Sequence, residues 1–176
     1  INTLESYTPF IIIGEHGFSY NHNEPFLMIG LSSTTKIAMI QGDASGLRVD
    51  HEANSSGSLS AATGQWLHVV GVKDGTSLKT YINGALDGTA TATDSSVGLS
   101  GSAVNDVYIG GGLTTVANTL NGTVDDICTF ATSLSLAEVQ ELFNDGIPLD
   151  ATTHTQASNL EGYWRNNKSV SYTHLR

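Results

Sequence analysis

The chain has 176 residues, enough for one well-buried domain and too short for two of ordinary size. Its 17 acids against 7 Lys and Arg give a net charge of −10, which speaks against nucleic acid or an anionic membrane surface as partner, because both require a basic patch. A single cysteine, Cys128, rules out an intrachain disulfide, and no run of about 18 apolar residues offers a membrane insertion segment.

Only 14% of residues are charged, and Thr, Ser, Gly and Asn fill the polar positions, as suits short strands joined by turns. The chain opens at Ile1 with no leader-like segment, as expected of a piece of a longer protein. Residues 9–14 form a short apolar run that reads as a strand buried on both faces. A polar loop, Glu15 to Glu24, follows. Phe26 to Leu31 and Lys36 to Gln41 read as two strands of a hairpin, and Leu47 to Glu52 alternates as a half-exposed strand does. Next comes 65–84, two apolar runs joined through Asp74-Gly75 and closed by Asn83-Gly84, residue pairs suited to tight turns. Alternation places Trp66 in the inter-sheet core, with His68, Val70 and Val72 on the same face.

Ala85 to Thr93 reads as an edge strand, 106–110 as another, and 123–130 as the strand carrying Cys128. The one helix is expected at 136–145. Ser135 with Glu138 forms a capping box, Leu134 with Val139 a hydrophobic staple, and Gly146 is placed for the C-cap before Pro148. Residues 149–158 read as a polar linker, and 159–168 as one further strand or the start of a second repeat. Residues 169–176 carry no folding logic and resemble translated adapter sequence, a non-native tail. About ten short strands with one short helix near the C-terminus specify an all-β chain, a two-sheet antiparallel β-sandwich.

The 65–84 stretch resembles the central hairpin of laminin G-like, concanavalin A-like lectin/glucanase jelly rolls of the pentraxin-like type. Three further segments follow in that family's order: Asp106-Val107-Tyr108-Ile109-Gly110-Gly111, Leu120-Asn121-Gly122-Thr123-Val124-Asp125-Asp126-Ile127, and the Leu-Ser-x-x-Glu-Val helix ending Phe143-Asn144-Asp145-Gly146. The resemblance implies a jelly-roll domain over 1–148 whose opening strands are missing, which would leave a sheet edge unpaired. It also implies a binding module, and not an enzyme. The partner expected is a glycan or glycoprotein surface, in an extracellular, cell-surface or virion-associated protein with neighbouring domains. A structural spacer with no ligand is the alternative, and a glycoside hydrolase stands below both.

Candidate site residues follow from chemistry. Glycoside hydrolysis needs two carboxylates across a cleft, and the Glu-x-Asp-x-x-Glu strand of related glucanases does not occur. A sugar site needs an aromatic platform with amide donors and acceptors. His16, Phe18, Tyr20, Asn21 and Asn23, all in the 15–24 loop, have that composition. In related glucanases an Asp of the last-strand motif binds structural Ca²⁺, and the matching position is Asp125; Asp43, Asp87 and Asp106 are a second set of candidate ligands.

Overall fold

A computed structural model describes residues 8–15, 26–32, 36–42, 51–54, 64–92, 105–111 and 119–166 of the chain. Ten strands are present among them: β1 (Thr8–Glu15), β2 (Phe26–Ser32), β3 (Lys36–Gly42), β4 (His51–Asn54), β5 (Val69–Asp74), β6 (Ser77–Ile82), β7 (Ala85–Thr91), β8 (Asn105–Ile109), β9 (Ile127–Phe130) and β10 (Leu160–Trp164). One helix, α1 (Leu136–Phe143), stands between the last two. All described pairings are antiparallel, in sheets ordered β4-β3-β2-β1-β8, β5-β6-β7 and β9-β10. This is the all-β sandwich that the turn-rich sequence specifies.

The five-stranded sheet is apolar on both faces. Its register aligns Ile12, Met28 and Ile40 on one face, where they form a buried cluster with Ala38 against Phe26 and Tyr108. The other face aligns Ile11, Ile29 and Met39. Met39 packs with Leu78 of β6 and Ala92, and this cluster joins the five-stranded to the three-stranded sheet. Interior strand β3 is accordingly buried at every position from Ile37 to Gln41. A strand covered on both sides must read as a continuous apolar run, and Ile-Ala-Met-Ile does.

Both turns of the β5–β7 meander follow from the residues that begin them. Gly75 has φ +55° between Asp74 and Ser77, which pair directly. A positive φ at the first central residue of a two-residue turn is the requirement that glycine meets. Asn83 (φ 49°) and Gly84 (φ 75°) are both left-handed, the type I′ pattern that matches the twist of the flanking strands.

Val70, Val72 and Tyr81 lie on the outer face of this sheet, under α1, packed with Leu134, Val139 and Leu142 and flanked by Phe130. The Val70–Val72 layer therefore faces the helix, and not the opposing sheet as alternation alone suggests. Trp66 is a second correction. It is 70% exposed, because the strand begins only at Val69 and the pleat does not extend back over 66–68.

Helix α1 starts as expected. Ser135 Oγ accepts from the Glu138 N–H, and Glu138 Oε2 accepts from the Ser135 N–H at 2.7 Å. It ends two residues earlier than the sequence suggests, and Asn144, in place of Gly146, takes the left-handed C-cap conformation. Residues 149–158, which the polar composition suggests are a linker, form two short 3-10 turns with Ala151 and His154 buried. β10 then pairs with β9 and so completes a sheet of this unit.

Candidate functional site

Strand register gathers the loops at one end of the five-stranded sheet. Gly14 pairs with Phe26, Glu15 with Asn105, Phe26 with Gly42, and Gln41 with His51. The chain leaves this end toward 16–25 and 43–50, and re-enters it at Asn105. His16, Phe18, Tyr20, Asn21 and Asn23 lie outside the described residues; the pairings fix only where their loop begins and ends. Asp43 also lies outside them, while Asp87 sits in β7 and Asp106 in β8, strands of different sheets.

The exposed aromatic among the described residues is Trp66, at the entry to β5. Its position is held by a reciprocal pair two residues later: the His68 N–H donates to Asn83 Oδ1 at 3.0 Å, and the Asn83 N–H donates to the His68 carbonyl at 2.9 Å. The His68 ring lies 5.7 Å from that of Phe143, and burial pulls its imidazole below the ordinary range, keeping it neutral. An exposed indole in the segment entering β5, next to exposed Gln65 in the chain, offers a flat apolar face beside an amide. Sequence alternation missed this role. The available signal was the polar Thr63-Gly64-Gln65 sequence immediately before Trp66, which is unlike the start of a buried strand.

Asp125 has a structural part. Its Oδ1 accepts from the N–H groups of Asp126 (2.8 Å) and Asn166 (2.7 Å), and the Asn166 amide donates to the Val124 carbonyl. Asp126 Oδ1 takes the Tyr163 hydroxyl at 2.9 Å and lies 3.0 Å from Arg165 Nε, whose Nη1 reaches Asp150 at 2.9 Å. Burial and the bond to Asp126 push the Tyr163 phenol up to about 12. As they stand these groups do not fit a calcium ion. Asp125 Oδ1 is engaged by two donors, the adjacent carboxylate is paired with a guanidinium, and no cluster of three metal-ligating side chains occurs among the described residues.

Several other titratable groups are tied into the scaffold. His154, fully buried, accepts the Gln156 N–H at Nδ1 (3.1 Å), so its proton sits on Nε2, which faces the Glu138 carbonyl at 3.0 Å. Glu141 accepts from the Thr155 N–H and lies 3.5 Å from the same Nε2. Hydrogen bonds from Gln156 first, then from Ser135, hold Glu138 down at about 2. Burial, with the Asp126 charge second, pushes the Cys128 thiol up to about 11, away from the thiolate form that a nucleophile needs.

No curated protein sequence matches the chain. Among solved structures, the crystal structure of an S-layer domain-containing protein (residues 221–444) from Clostridium thermocellum ATCC 27405 is similar, at 24% identity and a TM-score of 0.40. That match covers 74% of this chain and 63% of the other, so the chain spans less than two thirds of its relative's length. A family model described as the concanavalin A-like lectin/glucanases superfamily matches residues 1–140. Residues 1–140 include the meander, β9 and the start of α1, the segments whose motifs and turns are described above. The chain belongs to the concanavalin A-like lectin/glucanase superfamily, in its laminin G-like branch.

Proposed function

We propose that this chain is a non-enzymatic recognition module that binds carbohydrate or a glycosylated surface, within a larger extracellular, cell-surface or virion protein. The observation that carries the reading is Trp66. A tryptophan 70% exposed in the irregular segment leading into β5, two residues before the His68–Asn83 pair, is a stacking platform for the apolar face of a sugar ring. The sequence of the loop carrying His16, Phe18, Tyr20, Asn21 and Asn23, two aromatics among amides and an imidazole, supports the same reading. Five of the described carboxylates, Asp125, Asp126, Asp150, Glu138 and Glu141, are engaged by hydrogen bonds or ion pairs within the scaffold, which leaves fewer for hydrolysis. The rival reading, a spacer without ligand, is favoured by the small exposed side chains Ala85, Thr89 and Thr91 on β7. A glycan array probed with the wild-type chain, with and without Ca²⁺, tests the two. Hits that Trp66→Ala or Phe18→Ala and Tyr20→Ala weaken, with melting temperature unchanged, support recognition. Silence under both conditions leaves the spacer.

A further inference from the structure

Asparagine followed by glycine occurs twice in the chain, at Asn83-Gly84 and Asn121-Gly122, and the fold treats the two pairs differently. In such a pair the glycine has no Cβ to keep its amide nitrogen away from the carbonyl carbon of the asparagine side chain, so a ring can close between them. Asn83-Gly84 is held. The two residues form the type I′ turn between β6 and β7. Asn83 Oδ1 accepts from the His68 N–H at 3.0 Å, and the Asn83 N–H donates to the His68 carbonyl at 2.9 Å. Gly84 is buried, and a Cβ there would lie 2.9 Å from Phe143. Ring closure at this pair requires the bond from His68 to Asn83 Oδ1 to break and the turn to open.

Asn121-Gly122 lies in a bend where Asn121, Gly122 and Thr123 are all exposed. Among the described residues the Asn121 side chain has no hydrogen-bond partner. A Cβ on Gly122 would meet the Leu120 side chain at 3.6 Å, an ordinary contact. The bend is strung between two anchors. Before it, the Leu120 N–H donates to the Gly110 carbonyl at 2.8 Å. After it, the Val124 carbonyl accepts from Asn166 Nδ2 at 2.8 Å, and Asp125 Oδ1 accepts from the Asn166 N–H at 2.7 Å. Neither anchor has to break for Asn121 to turn its side chain onto the Gly122 nitrogen.

We propose that Asn121 is a site of spontaneous modification, converting to aspartate and isoaspartate while Asn83 stays intact. The Gly122 amide nitrogen gives its proton to solvent base and attacks Asn121 Cγ. The bond from Cγ to the side-chain nitrogen breaks, and ammonia leaves with a proton from water. The five-membered imide then takes up one water. Attack at Cγ returns the normal backbone with an aspartate side chain. Attack at the main-chain carbonyl gives isoaspartate, whose backbone runs through Cβ and Cγ. Either product adds one negative charge to the net −10. Isoaspartate also lengthens the main chain between the two anchors by one carbon, about 1.5 Å. That slack loosens the hold of Val124 and Asp125 on Asn166.

The test holds the full chain in mildly alkaline buffer, once folded and once in concentrated urea, and follows both asparagines by peptide mapping with fragment spectra. In the folded chain Asn121 should convert at least about tenfold faster than Asn83, because the turn must open locally before Asn83 can react. In urea that protection is gone, and the two rates should agree within about threefold. Asn121→Gln should remove the fast product and leave the Asn83 rate as it was. In the product fraction taken by anion exchange, the Asn166 amide should exchange hydrogen about tenfold faster than in the fresh chain. Asn121→Asp, which has the charge without the extra carbon, should leave that amide unchanged. The proposal is overturned by equal rates in the folded chain, by Asn83 reacting first, or by an Asn121 rate that urea raises about tenfold. An Asn166 amide that exchanges no faster in the product fraction, or equally fast in Asn121→Asp, overturns the slackening.

Discussion

Gly84→Ala tests the account of the meander and of how α1 docks on it. Gly84 has φ +75°, where an L-residue costs about 1–2 kcal/mol. The added Cβ would also lie 2.9 Å from Phe143 Cδ1 and 3.3 Å from Cβ and Cγ of the same side chain. Those atoms include the root of the side chain, close to the helix backbone, so relief requires the helix end to shift. Overpacking of this kind costs about 1–3 kcal/mol, and the sum is about 2–5 kcal/mol. Gly75→Ala is the internal control: its φ is +55°, but nothing lies within 4 Å of the new methyl group. It should cost only the conformational part. Urea unfolding followed by circular dichroism gives both values from the midpoints at constant slope. The excess of Gly84→Ala over Gly75→Ala should shrink in a Phe143→Ala background. Equal losses in the two alanine variants would refute the contact argument.

Three further outcomes are expected. Ser135→Ala removes one half of the capping box and should cost about 1 kcal/mol in the same urea assay; a loss near zero would mean the Glu138–Gln156 contact holds the helix start alone. Melting temperature should be highest between about pH 6.5 and 9, since the folded state lowers Glu138 and His68 and raises Cys128 and Tyr163. The Glu138 contribution is whole above its ordinary 4.5 and lost as pH falls toward 2. That of His68 is lost below 6.5, and that of Cys128 between 9 and 11. A flat melting temperature from pH 3 to 10.5 would contradict all of these shifts. Calcium should leave the melting temperature unchanged, and Asp125→Ala should lower it with or without the ion by releasing Asn166; a calcium-dependent rise that Asp125→Ala abolishes would restore a metal role to that carboxylate.

Legibility followed the range of the forces involved. Strands β1 to β3 were readable because burial on both faces leaves an unbroken apolar run, and α1 because its cap is written within four residues, Ser135 to Glu138. Trp66 was not, because alternation holds only where pairing holds the pleat, and pairing starts at Val69. Which face of β5 meets the other sheet was also hidden: a strand between a sheet and a helix is apolar on both sides, and Gly71 gives no side-chain signal. The 149–158 segment looked like linker because its anchors are single polar residues. His154 becomes a core residue only when Gln156 and the carbonyl of Glu138 satisfy both ring nitrogens. That pairing spans two elements and leaves no periodic trace. Composition pointed to the 15–24 loop, most of which lies outside the described residues, and only coordinates gave the exposed indole.

The pairing of β1 with β8 has a consequence for synthesis on the ribosome. Ile11 and Ile109 are neighbours in the sheet yet about a hundred residues apart in the chain, and synthesis at about 5–20 residues per second separates their emergence by about 5–20 s. During that interval β1, with its Phe-Ile-Ile-Ile run, has only the β2–β3 hairpin to pair with. Its second edge stays available to other nascent chains. Expression yield should therefore depend on how quickly the ribosome reaches β8, and slowing translation between β3 and β8 should send more of the product into aggregates.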